Sequence, residues 1–156
     1  MTAAVDETEP EVAFGHLSVC RVRIDDLDPF GVMHNSRYAL VVERAIEDYW
    51  ADRGYAFVGT EATKPDVYQF AREMTVGYLQ PVRGAGDLVC HFWLEKMGRT
   101  SAEYGFRMLS PDRETTYAEG SRVVVRIDPA TGRPTSWTQE GRDMAAALIR
   151  PVDAGL

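Results

Sequence analysis

Apolar and polar side chains first alternate at Cys20-Arg21-Val22-Arg23-Ile24, which marks residues 16–24 as a strand. Asp, Pro, Gly and Asn then crowd residues 25–35, a composition that suits a loop. The period changes over residues 36–53. There Tyr38, Val42, Ala45 and Tyr49 recur at helical spacing, and Leu40, Val41, Ile46 and Trp50 widen the stripe. So broad an apolar surface predicts a helix of about five turns, nearly surrounded by other structure. Asn35 or Ser36 can cap its start, and Gly54 stands where a left-handed residue would end it. After a loop rich in Gly, Thr, Lys and Pro, strand patterning returns over about 67–79, 87–96, 101–110 and 115–127. A turn follows at Asp128-Pro129-Ala130-Thr131-Gly132, and a short helix over about 139–148 closes the chain.

This order predicts an α+β architecture, with one antiparallel five-stranded sheet wrapped around one long central helix. The strands are long and consecutive, so hairpins are the expected connections. No repeat or low-complexity linker divides the 156 residues. They are read as an acidic, flexible N-terminal tail over 1–15 and a single domain over 16–150.

Composition narrows the function. Lys and Arg total 17 against 24 Asp and Glu, a formal net charge of −7 that argues against broad nucleic-acid binding. No apolar run approaches the roughly 20 residues of a membrane span, and the N-terminus lacks the pattern of a signal peptide. A cytoplasmic location is expected, and Cys20 and Cys90 are read as buried thiols. No His/Cys/Asp cluster has metal-ligand spacing, so no metal is predicted. The absence of G-x-S-x-G and P-loop motifs removes serine α/β-hydrolase and nucleotide-hydrolase chemistry. His16 and His91 fall in strands and are read as structural.

The informative stretch runs from Asp25 to Tyr38, with Asp25, Asp26, Asp28, Gly31, His34 and Asn35 between a strand and a helix start. Turn formation and favourable acids near a helix dipole explain such a composition without chemistry. A carboxylate beside a helix N-terminus is also half of an acyl-hydrolysis centre, because oriented N–H groups can hold an oxyanion.

At this point DLDPFGVMHNSRYALVVERA resembles the signature of hotdog-fold thioesterases of the 4-hydroxybenzoyl-CoA thioesterase type. REMTVGYLQPVRGAGDLV, MGRTSAEYGFRM and AEGSRVVVRIDPATGRP continue the resemblance in order, over roughly residues 16–134. It implies a hotdog fold, edge-to-edge dimers or tetramers, and active sites at the protomer interface. It places the catalytic acid on Asp28, as general base or nucleophile, and the oxyanion-binding backbone N–H at about Asn35. His34 is a further catalytic candidate, able to orient water or the carbonyl. Gly31 and Tyr38 are candidates for substrate contact. Arg99, Thr100 and Ser101 lie where the family meets the pantetheine and nucleotide of CoA, and an Arg fork suits a phosphate.

The implied activity is acyl-CoA hydrolysis without a cofactor, CoA being part of the substrate. Acyl-carrier protein is a possible second carrier, though Val32 replaces a His found in relatives that use it. Glu43 is the reserve general base, since some hotdog thioesterases carry their acid on the helix. Glu43 and Glu47, one turn apart, also call for a partner such as Arg44 or another protomer. The alternatives are a hotdog enoyl-thioester hydratase or dehydratase, for which His34 would serve, and a non-catalytic acyl-thioester binding protein.

Overall fold

The structure, a computed structural model, describes residues 12–152. Strand β1 is His16–Val22 and helix α1 is Arg37–Ala51. A small hairpin of β2 (Phe57–Val58) and β3 (Glu61–Ala62) follows. The long strands are β4 (Gln69–Tyr78), β5 (Gly86–Met97), β6 (Ser101–Leu109) and β7 (Thr116–Asp128). Strand β8 (Arg133–Pro134) and helix α2 (Gln139–Ala145) complete the order.

All pairs in the main sheet are antiparallel, in the order β1-β5-β6-β7-β4, with β8 added to β7. The sheet therefore has six strands rather than five. Hairpins join β5, β6 and β7, but β4 and β5 are not neighbours. The loop between them holds to the Asp28 loop instead: Met33 N–H donates to Val82 C=O at 2.8 Å and Gly84 N–H to Gly31 C=O at 3.0 Å. That stitching carries the chain from one sheet edge to the strand beside β1, a connection that strand periodicity does not encode.

Helix α1 has 15 residues, about four turns, and is of ordinary length rather than long. It begins after Ser36, whose side chain makes no capping bond, and ends where Gly54 takes the left-handed conformation at φ +88°. Its buried face is Tyr38, Val41, Val42, Ala45, Ile46 and Tyr49, the predicted stripe with two of its flanking positions. These side chains share one core with Leu88, Cys90, Phe92 and Leu94 of β5 and with Ala102, Tyr104, Phe106 and Met108 of β6.

The other face of β5 is covered as well. Trp93 lies over Gly105, where an added Cβ would meet the indole at 2.5 Å, and Phe14 packs edge-on against Trp93 at 5.3 Å. Phe14 is buried, and its carbonyl accepts a 2.8 Å bond from His91 Nε2. Phe14 therefore belongs to the packed domain rather than to a flexible tail, while residues 1–11 of the expected tail lie outside the described residues. His91 is structural, as read. Cys90 is buried and Cys20 half-buried; both are free thiols, and burial pushes each one's pKa up.

Helix α2 is anchored from a distance. Asp66, buried ahead of β4, accepts from the Thr138 N–H at 3.0 Å and from the Thr138 hydroxyl, and it pairs with Arg126 Nε at 3.2 Å. Thr138 Oγ1 in turn caps α2 by accepting from Gly141 N–H at 3.0 Å.

Candidate active site

The three acids of the loop after β1 have three different environments. Asp25 is exposed. Asp26 is buried: its Oδ2 accepts from Arg23 N–H at 2.8 Å, its Oδ1 lies 3.7 Å from Arg37 Nε, and its carbonyl accepts from His34 N–H at 2.8 Å. Asp26 therefore holds the loop against the start of α1.

Asp28 shapes the turn itself. Its N–H donates to Val32 C=O at 2.8 Å, and its C=O accepts from Gly31 N–H at 3.0 Å. Oδ1 accepts from Phe30 N–H at 2.8 Å and Val32 N–H at 3.3 Å. Pro29 keeps Asp28 out of the helical region, and Gly31 supplies the positive φ of +76° that closes the turn. Among the described residues, Oδ2 of Asp28 has no hydrogen-bond partner.

A cleft of about 390 Å³ opens beside this carboxylate. Asp28, Val32, Met33, His34, Asn35 and Tyr38 line one side, and Tyr78, Leu79, Gln80 and Pro81 the other. Tyr78 joins the walls: its hydroxyl donates to Asn35 C=O at 3.0 Å, and its ring stands edge-on to Tyr38 at 4.9 Å. Burial raises the Tyr38 hydroxyl pKa, so this phenol stays protonated and neutral. Among the described residues the Asn35 backbone N–H is left without an acceptor, just ahead of the positive end of α1. His34 turns Nδ1 towards Ser36, accepting from its N–H at 3.0 Å and lying 2.8 Å from its hydroxyl.

Asp28, His34, Asn35 and Tyr38 are therefore brought together, while Gly31 sits at the turn without lining the cleft. Arg99, Thr100 and Ser101, between β5 and β6, do not reach it either. Arg99 donates to Ser136 Oγ at 3.0 Å, Thr100 C=O accepts from Arg126 N–H, and Ser101 C=O accepts from Trp137 Nε1 at 3.1 Å. Within one protomer Arg99 and Ser101 brace the segment before α2, and Thr100 bonds to β7. Tyr78 and Gln80 were not singled out by sequence reasoning; they lie in the resembling block 72–89, but nothing in its pattern shows that β4 ends opposite the Asp28 loop.

A second cavity of about 390 Å³ shares no lining residue with the cleft. Trp50, Tyr55, Phe57, Tyr104 and Trp137 dominate its wall. Glu43 lies there, paired within the protomer with Arg122 Nη2 at 3.1 Å rather than with Arg44. Burial, and next the Glu43 charge, raise the pKa of Glu47.

The chain belongs to the thioesterase-like superfamily, whose family model matches residues 22–148. Among solved structures it is similar to the PA5185 protein of Pseudomonas aeruginosa, with 24% identity over 87% of this chain and 92% of that one and a TM-score of 0.76. It is also similar to a thioesterase of Thermus thermophilus complexed with coenzyme A and zinc, at 23% identity, 88% and 98% coverage and a TM-score of 0.71. A DHNA-CoA thioesterase of Staphylococcus aureus matches at 21% identity, 84% and 86% coverage and a TM-score of 0.70. No curated protein matches. The antiparallel sheet with its helix is the arrangement these structures share with the chain. Among the described residues no helix is long and apolar enough to cross a membrane.

Proposed function

We propose that this protein is a hotdog-fold acyl-CoA thioesterase whose reaction centre is the Asp28 cleft. One observation carries the reading: Asp28 and Asn35 line one cleft at the positive end of α1, and among the described residues one Asp28 carboxylate oxygen and the Asn35 N–H have no partner. A thioester carbonyl held there has an anion-stabilising donor on its oxygen and a base near its carbon.

As a general base, Asp28 takes a proton from water as the oxygen attacks the carbonyl carbon. The oxyanion forms against Asn35 N–H, the C–S bond breaks, and the departing thiolate takes the proton held by Asp28. The products are a free acid and CoA thiol. As a nucleophile, Asp28 instead attacks the carbonyl carbon and forms a mixed anhydride as the C–S bond breaks and the thiolate leaves, and water then opens the anhydride to free acid and the Asp28 carboxylate. Either course uses the same two groups and no cofactor. The bound coenzyme A of the Thermus relative supports CoA as the carrier.

The sheet edges support an assembly of two or more protomers. Among the described residues the edge strands β1 and β4 have a strand partner on one side only, and β4 exposes Phe70 and Tyr78. A two-fold dimer would pair such an edge, and only across a dimer interface could Arg99, Thr100 and Ser101 serve the CoA of another protomer's cleft. Light scattering at micromolar protein is expected to show a dimer or tetramer. A monomer with full turnover would contradict the shared site.

The activity itself is tested with short, long and aromatic acyl-CoAs and a thiol-detecting reagent, beside crotonyl-CoA hydration. Thiol release is expected. Loss of enoyl absorbance without thiol would instead indicate a hydratase, and silence in both assays a binding protein.

A further inference from the structure

We infer that Ser36 fixes the tautomer of His34, so that His34 presents Nε2–H to the cleft as a second oxyanion donor beside Asn35. This rests on the thioesterase reading and assigns His34 a donor role and Ser36 a positioning role within that site.

A backbone N–H can only donate. The Ser36 N–H lies 3.0 Å from His34 Nδ1 in bonding geometry, so Nδ1 carries a lone pair. The Ser36 hydroxyl, 2.8 Å from the same nitrogen, donates to that lone pair as well. In the neutral ring the proton then sits on Nε2. Nε2 has no partner among the described residues, and His34 lines the cleft with Asp28 and Asn35. A ring held this way cannot take a proton from water through Nδ1, which is occupied. What it offers is a fixed N–H, matched to the charge that develops on a carbonyl oxygen. Ser36 thus serves the site through His34, and its hydroxyl caps no N–H of α1.

His91 provides an internal standard. Its Nε2 lies 2.8 Å from the Phe14 carbonyl and its Nδ1 faces Arg107 Nη2 at 3.1 Å, so the same reasoning puts its proton on Nε2.

The test combines a spectroscopic and a kinetic readout. Long-range ¹H–¹⁵N correlation on the full-length protein at pH 8.5 reports which ring nitrogen is protonated, and the signal lost in His34→Gln identifies His34. The expected pattern is that of His91, with Nδ1 bare and Nε2 protonated. In thiol-release assays His34→Ala is expected to lose roughly 10²-fold in kcat, the scale of one oxyanion donor. His34→Gln, whose amide N–H reaches the Nε2 position, should stay within about tenfold of the wild type.

Ser36→Ala removes the hydroxyl donor and leaves the backbone of Asn35 and the start of α1 as they are. It should slow the wild type by about tenfold but the His34→Gln protein by less than about twofold, because the coupling runs through the ring. A proton on Nδ1, a Gln variant as slow as Ala, or an equal Ser36→Ala effect in both backgrounds would each overturn the inference. A wild type inactive on every thioester would instead overturn the thioesterase reading, and the donor role with it, while the NMR pattern still reports the tautomer on its own.

Discussion

Asp28→Asn is expected to lower kcat by roughly 10²-fold or more without changing the thermal unfolding midpoint. The loop geometry makes this substitution unusually clean. Oδ1 of Asp28 accepts from Phe30 and Val32 N–H, and an Asn carbonyl oxygen can keep both bonds. Only the second oxygen changes, from an acceptor without a partner to an amide that cannot take a proton. Its neighbours separate chemistry from architecture. Asp25 is exposed, so Asp25→Asn should stay within about tenfold, near 1.4 kcal/mol of barrier. Asp26 is buried against Arg23 N–H and Arg37, so its replacement should show first as lost stability. The measurements are steady-state thiol release and thermal unfolding on the same preparations. A normally folded Asp28→Asn protein that keeps most of its activity would remove Asp28 as base or nucleophile.

The largest stability effect is expected far from the cleft. Asp66→Ala removes a side chain only 7% exposed that holds Arg126, itself 13% exposed, together with the N–H and hydroxyl of Thr138. Breaking a buried pair leaves a buried charge uncompensated, which costs about 3–5 kcal/mol. Arg126 would retain Ser136 C=O at 2.6 Å and Pro65 C=O at 3.4 Å, neither of which carries a balancing charge. For a chain of this size the loss corresponds to a fall in Tm of roughly 10 °C. The cleft shares none of these residues, so kcat measured well below the new midpoint should change little. A midpoint shift no larger than that of Asp25→Asn would show that α2 is held mainly by its apolar contacts.

These two sites also mark what the sequence makes legible. The α1 stripe, the four long strands, the Asp128 turn and Gly54 could be read because each depends on local periodicity or on one residue's allowed φ. The position of β4 beyond β7 could not. It depends on the 79–85 loop bonding to residues 31–33, and alternation within a strand is blind to its neighbour. The β2–β3 hairpin and β8 are two residues per strand, too short for any period to show.

Within the site, the motif placed Asp28, His34, Asn35 and Tyr38 beside one another because they are close in sequence. Tyr78 and Gln80 come from across the fold. Ser36 has the composition of a helix cap, yet its hydroxyl turns to His34 and accepts from no N–H of α1. Asp66 carried no signal, because its partners Arg126 and Thr138 are remote in sequence and an acid beside a proline looks like ordinary turn composition.

Thioester hydrolysis in the Asp28 cleft releases thiol and acid in equal amounts and depends on the Asp28 carboxylate. The most direct measurement follows free thiol and free acid together from one acyl-CoA, comparing the wild type with Asp28→Asn at equal protein concentration and equal fold. The account predicts equimolar thiol and acid from the wild type and at least a 10²-fold slower release from the variant. Equal rates from the two proteins, or no thiol from the wild type on any acyl-CoA, would contradict it.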